Sequence, residues 1–295
     1  MVSPAIIDTA TTLVAFPSVS STAPVYDRTV RLPATLPASS ATLRLPILQF
    51  HAVGARPIAG PWGARLTLLT ATFEAEMNHL AVYDYHPVTL EAAYAGMARL
   101  ESLPANPIAL TFDDGYQDDF TVVFPILREH HFVATFFIIT GAVGRPGYMT
   151  WADVRAMHAA GMAIESHTVH HDNLDTLSAA SLSAELTQSR DAIAAEVGQV
   201  PAALSYPGGD YDQRVAAAAK TAGYLMAVTV RPARLLGPSN PFAWPRTGIG
   251  PRETLANFAK AIEGILPGPG RVRAHGKAFV PRPTSGPIAL GATAS

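Results

Sequence analysis

The feature that most constrains this chain is a repeated alternation. Short apolar runs, several ending in a polar cluster, are separated by stretches of helical periodicity. RLPILQFH (44–51) reads as a strand, and in TATFEAEMNHLAVYD Phe73, Met77 and Leu80 fall near one helical face. Pro107–Phe112 (PIALTF) is an apolar run that empties into Asp-Asp-Gly. Phe120, Val123, Phe124 and Leu127 then lie at i, i+3, i+4 and i+7, with Pro125 inside the pattern as a kink or restart point. VATFFII (133–139) is the next strand, TWADVRAMHAAG a helix closing on Gly161, and Met162–Glu165 a strand again. Leu182, Leu186, Ile193 and Val197 mark a longer helix. Ala203–Tyr206, a helix from about Asp212, and Leu225–Val230 continue the series. Such alternation with short connections predicts an α/β fold on a parallel sheet. So many units in about 220 residues fit a closed barrel better than two open sheets, with the chemistry on loops at the strand C-termini.

The chain has 295 residues, 48% of them apolar, enough for a sizeable core. Lys and Arg number 21 against 23 Asp and Glu, so there is no basic footprint for nucleic acid. With no cysteine, disulfides, thiolate metal sites and cysteine nucleophiles are excluded. No apolar run approaches the roughly 20 residues of a membrane-spanning helix. The N-terminus shows no secretory signal, because no basic residue precedes Arg28 and Asp8 interrupts the apolar stretch. Residues 1–43 and 267–295 are rich in Ser, Thr, Ala, Pro and Gly without a helix or strand period. They are expected to be flexible or draped arms around one domain, 44–266.

Two polar clusters carry the chemistry. Thr111-Phe112-Asp113-Asp114-Gly115 places adjacent carboxylates after a buried strand, where an unpaired charge is expensive and a bound cation relieves the repulsion. Asp118 and Asp119 read as solvated turn residues or charges complementing a helix start. His167-Thr168-Val169-His170-His171 supplies imidazoles at i and i+4. Two neutral imidazoles and one carboxylate form a facial set with open positions, suited to zinc or another divalent ion. His170 is a bystander unless the turn is tight enough for it to replace His171. His79, His86, His130, His131 and His158 read as surface or core histidines.

With TFDDG intact at Thr111–Gly115 and H-[ST]-x-x-H intact at His167–His171, the sequence resembles the polysaccharide deacetylases, carbohydrate esterase family 4 or NodB homology domain. The likeness runs from about Leu45 to about Ile265 and includes GYQDDF, ATFFI, GYMTW and AGMAIESHTVHH. It implies a distorted (β/α) barrel of NodB type. It also implies Asp113 as catalytic base, and Asp114, His167 and His171 as ligands of a divalent metal, zinc before cobalt or nickel. The family's third motif, R-x-P-Y, is replaced by Leu204-Ser205-Tyr206-Pro207-Gly208-Gly209. The orienting Arg is missing there, and Arg246 in AWPRTGI is the candidate replacement. The Gly208 amide remains available as an oxyanion donor. The late Leu-x-x-His motif is absent after Val230, and its counterpart, Leu48-Gln49-Phe50-His51, lies far upstream. That order is similar to the circularly permuted subgroup that includes poly-N-acetylglucosamine deacetylases, and it makes His51 the general acid.

The resemblance therefore implies hydrolysis of N-acetyl groups on a polysaccharide or oligosaccharide. Asp113 would take a proton from an activated water and His51 would protonate the departing amine. Two other readings stay open at this point: hydrolysis of a non-carbohydrate amide or imide, and a non-catalytic glycan-binding role. A glycosidase would need two carboxylates about 5–9 Å apart across a glycosidic bond. Such substrates imply an extracytoplasmic location, although the sequence shows no signal for it.

Overall fold

The computed structural model describes residues 30–37, 40, 42–58, 63–231 and 235–263. The expectations for 1–29 and 264–295 lie outside the described residues. Within them, Leu32 and Leu36 pack against the core, and the Tyr94 hydroxyl donates to the Pro33 carbonyl at 3.0 Å. Leu43–Arg44 pairs antiparallel with Leu235–Leu236.

Among the described residues the central sheet has eight strands; His86–Pro87 pairs with Pro107–Ile108 off the main path, which has seven. Those seven are β1 (Ile47–Phe50), β2 (Pro107–Phe112), β3 (Thr135–Ile138), β4 (Ala163–Ser166), β5 (Ala203–Ser205), β6 (Met226–Val228) and β7 (Thr247–Gly248). All pairings among them are parallel, in the order β6-β5-β4-β3-β2-β1-β7. Trp244 bridges to Val228 of β6, and β7 pairs with β1 three residues later. The segment 244–248 thus touches both ends of the sheet and curls it into a distorted (β/α) barrel of NodB type.

Parallel strands are covered on both faces, which is why these segments read as continuous apolar runs rather than as alternating ones. Alternation survives in which core each residue joins. Leu48, Phe50, Leu110, Phe112, Phe136 and Ile138 face outward, into the larger core beneath the helices. Phe50 stacks on Phe112 at 5.1 Å, and Phe112 on Phe136 at 4.9 Å. This aromatic row crosses β1, β2 and β3 in register and pins their pairing. Ile47, Ala109, Phe137 and Ala203 share the second core with Trp244. The same inward parity carries Gln49, His51, Thr111, Asp113, Glu165, His167 and Ser205 toward the upper interior.

Besides the single turn Gly63–Leu66, the helices among the described residues are α1 (Thr70–Val82), α2 (Leu90–Met97), α3 (Phe124–Glu129), α4 (Trp151–Ala159), α5 (Ala179–Val197), α6 (Gln213–Thr221) and α7 (Leu255–Glu263). Local chemistry sets their ends. Thr150 and Asp153 form a reciprocal capping box on α4, while Ser178 and Asp212 cap α5 and α6. Gly198 ends α5 in the left-handed region. The helix expected across Pro125 is split. Residues Asp119–Val123 form a π turn, and Phe124 N–H reaches back to the Asp119 carbonyl. Proline lacks an N–H and crowds the carbonyl four residues earlier, so the widened turn precedes it. α2 packs into the second core and is nearly all buried; its first N–H donates to Thr135 Oγ1 at the start of β3.

Glu76 of α1 is fully buried, with neither carboxyl oxygen hydrogen-bonded. Burial, reinforced by Glu253, pushes its pKa from 4.5 up to about 8. The folded state therefore holds a proton that the unfolded chain releases at lower pH. Stability should be greatest below about pH 4.5 as far as this group is concerned, and should fall as pH rises toward 8. Glu76→Gln should flatten that fall, and urea unfolding at pH 5 and pH 9 measures it. A variant no more stable than the parent at pH 9 would contradict the assignment.

Candidate active site

The C-terminal ends of β1, β2, β4 and β5 bring the sequence-predicted residues to one rim. Asp113 and Asp114 follow β2, and both are almost completely buried. Asp113 is held by four side-chain donors. Arg246 Nη1 donates to Oδ1 and Nη2 to Oδ2, each at 2.7 Å, in a two-pronged pair. Gln49 Nε2 donates to Oδ2 at 2.8 Å and Ser205 Oγ to the same oxygen at 3.3 Å. Arg246, which immediately precedes β7, has no exposed surface. Its remaining N–H groups reach Thr111 Oγ1, Ser205 Oγ and the Thr229 carbonyl. Burial alone would raise the Asp113 pKa, but the Arg246 guanidinium, with His167, holds it well below the usual carboxylate range.

Asp114 points the other way, toward the histidines. His167 Nε2 lies 3.4 Å and His171 Nε2 3.6 Å from Asp114 Oδ1. One ligand atom from each of these residues lies within 4.8 Å of the other two. His167 Nδ1 sits 2.8 Å from the Ser205 carbonyl, which fixes the tautomer with its proton there and frees Nε2 for a ligand. Asp114 Oδ1 is buried without a hydrogen-bond partner. A buried carboxylate oxygen facing two imidazole nitrogens is the donor set that a divalent cation satisfies.

For Asp114 and His171 the electrostatics agree with that reading. Burial would raise Asp114, yet the neighbouring His167 and His171 imidazoles bring it down to about 2. Burial and the neighbouring His167 lower His171 to about 4, which keeps its imidazole neutral, the form that binds metal. His167 is pulled down by burial but raised on balance by Asp113 and Asp114.

Asp114, Thr168 and His171 adopt left-handed backbone (φ 79°, 66° and 60°) without being glycine. Such conformations persist only where the surroundings impose them, and they collect at functional sites. His51 follows β1 on the same rim, half-buried, and its charge acts on Asp113, Asp114 and His171. Gly208 lies in the tight turn Pro207–Gly209 after β5, with φ 67°. Its neighbour Gly209 must be glycine, because a Cβ there would sit 2.5 Å from Val230 Cγ2.

His170 does not join the cluster. Its Nδ1 faces Glu185 Oε1, and its side chain is largely exposed. His79, His86, His130, His131 and His158 enter neither donor cluster found among the described residues. The reading of Asp118 and Asp119 needs correction. They do open a helix, but Asp119 is not solvated and Asp118 is so only in part. Asp118 Oδ2 accepts the Val53 N–H, and Asp119 is buried with both oxygens unpartnered. Burial raises Asp118 to about 6 and lifts Asp119 well above the carboxylate range. Gln49, Thr111 and Ser205 stand inside motifs quoted from the sequence, but no role was read for them there. Their signal was parity: Gln49 and Thr111 stand two positions before His51 and Asp113.

Residues 101–227 match the polysaccharide deacetylase family model. YxkH of Bacillus subtilis, a protein named for polysaccharide deacetylation, is 28% identical over 222 residues, covering 75% of this chain and 77% of its own. The chain carries a polysaccharide deacetylase domain. Over that stretch it is similar to the NodB-type polysaccharide deacetylases, which are hydrolases. The Streptococcus pyogenes deacetylase PplD, solved with acetate, superposes with a TM-score of 0.69 at 25% identity, covering 75% of this chain and 99% of PplD. A chitin deacetylase from Pestalotiopsis sp is 35% identical over 102 residues, covering 35% of this chain and 34% of that protein. Among the described residues no helix is long and apolar enough to cross a membrane.

Removing Arg246 alone strands a buried carboxylate. Arg246→Ala should therefore cost about 3–5 kcal/mol of stability, read from urea unfolding midpoints. Arg246→Ala with Asp113→Ala should cost clearly less than the sum of the two single changes. Additive losses would show that the pair is not coupled.

Proposed function

We propose that this deacetylase removes N-acetyl groups from an N-acetylglucosamine-type glycan by metal-assisted attack of water. The observation that carries the proposal is the convergence of Asp114, His167 and His171 beside an Asp113 held by Arg246. Asp114 Oδ1, His167 Nε2 and His171 Nε2 would hold a divalent ion, zinc before cobalt or nickel. Bound there, the ion polarises the acetyl carbonyl and lowers the pKa of water.

The chain's own groups do the rest. Arg246, Gln49 and Ser205 crowd Oδ2 of Asp113, whereas Oδ1 carries only the Arg246 contact. Oδ1 is the atom that takes the proton of the attacking water. Arg246 keeps that carboxylate ionised and fixed in plane, the task the family's third-motif Arg would have. His51, on the opposite strand of the β1–β2 pair, protonates the leaving amine. Gly208, in its tight turn after β5, offers its amide to the oxyanion. An acid just after the first barrel strand and a guanidinium just before the last would follow the permuted order of motifs. The N-acetylglucosamine assignment draws on the likeness to a chitin deacetylase.

Acetate release from N-acetylglucosamine oligomers tests this directly, alongside zinc content per chain. Chelation should abolish release, and zinc should restore it. Asp113→Asn should keep zinc and lose turnover, while His167→Ala should lose both. His51→Ala should keep zinc and lose about 10²–10⁴-fold in turnover, the scale of an acid–base group. Active protein free of metal would contradict the proposal. Loss of zinc in Asp113→Asn with retention in Asp114→Asn would reverse the two roles.

A further inference from the structure

The turn bearing His167 and His171 cannot hold its shape unaided, since Thr168 and His171 both adopt left-handed backbone. Its consecutive amides are gathered by acceptors, and most of these trace to α5. Thr168 N–H donates to Ser166 Oγ at 3.2 Å, and Ser166 Oγ lies 2.8 Å from Ser189 Oγ of α5. Val169 N–H and His170 N–H both donate to Glu185 Oε2 at 2.9 Å, and His170 Nδ1 faces the other carboxyl oxygen. His171 N–H closes the set on Thr168 Oγ1 at 3.0 Å. Glu185 and Ser189 are one helical turn apart, and both are buried. On the far side Gly141 N–H donates to the Val169 carbonyl, and a Cβ at Gly141 would meet that oxygen at 2.5 Å.

We infer that Glu185 is a positioning residue: its carboxylate is the template on which the metal-binding turn folds, and it sets the separation of the two imidazoles. The inference rests on the metal reading of Asp114, His167 and His171. Glu185 touches neither imidazole ligand and acts through the backbone between them. A charged acceptor suits this task better than a neutral one, because one oxygen serves two adjacent amides. Glu185, His170 and Asp172 also bring donor atoms within 4.8 Å of one another. However, Oε2 is already spent on two backbone amides and Oε1 on the His170 ring, so the clamp accounts for these contacts without a second ion.

Zinc affinity of the full chain, measured by competition with a chromophoric chelator, tests the inference when read together with each variant's melting temperature. Glu185→Ala should bind zinc about 10- to 100-fold more weakly, the scale of other groups that orient metal ligands. Glu185→Gln keeps one carbonyl oxygen for the two amides and should recover part of that loss. Glu196→Ala, on the same helix but paired outward with Arg155, should bind zinc like the parent. Should Glu185→Ala fail to fold, Glu185→Gln carries the test and must itself bind zinc several-fold more weakly than the parent. A lower melting temperature with parental zinc affinity in the Glu185 variants would overturn the inference alone. A parent chain that binds no zinc would overturn the metal reading and this inference with it. Two ions per parent chain, falling to one in His170→Ala, would replace the clamp by a second cation site.

Discussion

Two neighbouring carboxylates, Asp113 and Asp114, are buried at the mouth of a barrel, and water is not there to separate them. Each must find its own counter-charge. The backbone solves the first half by placing Asp114 at φ 79°, which turns the two side chains apart. Arg246 meets Asp113 with two parallel hydrogen bonds, while Asp114 turns to His167 and His171. Most of the architecture serves this separation. Gln49 and Ser205 finish the shell of Asp113, and the Ser205 carbonyl orients the ring that faces Asp114. One residue of β5 therefore supports both halves of the site.

Arg246 also ties the site to closure of the fold. It lies between Trp244, which bridges β6, and β7, which pairs with β1. Its guanidinium reaches Thr111 and Asp113 on the β2 side, and Ser205 and Thr229 on the β5 and β6 side. The ionic contact that keeps Asp113 charged thus spans the seam of the barrel. A buried ion pair is weak evidence for stability in itself, because desolvation offsets much of the attraction. Here it confers register, since slipping the closing segment by one residue would move the guanidinium to the other face.

Legibility of the sequence followed the range of each interaction. TFDDG and HTVHH were readable because their spacings, i to i+1 and i to i+4, place the groups together whatever the rest of the chain does. The strand–helix alternation gave the barrel for the same local reason. Arg246 and Asp113 are 133 positions apart, and only the sheet order brings them together. Asp119 was misread because a carboxylate at a helix start is normally solvated, whereas the start of this helix is tucked under Val53 and its neighbours. Glu185 left no local signal, since its role depends on a long helix lying against a turn 15 residues earlier. The parity of Gln49 and Thr111 could have been read, because polar residues inside apolar runs at even spacing from a candidate catalytic group face the same way.

Everything in this account converges on one small volume between Asp114 Oδ1 and the two imidazole Nε2 atoms. Anomalous diffraction at the zinc edge, from crystals grown with zinc, locates the ion without reference to activity. The account predicts one anomalous peak within bonding distance of all three residues, about 2.0–2.2 Å from the nitrogen and oxygen ligands, with Asp113 unligated and still paired to Arg246. A principal peak at Asp113, or at any site that leaves Asp114, His167 and His171 uncoordinated, would contradict it.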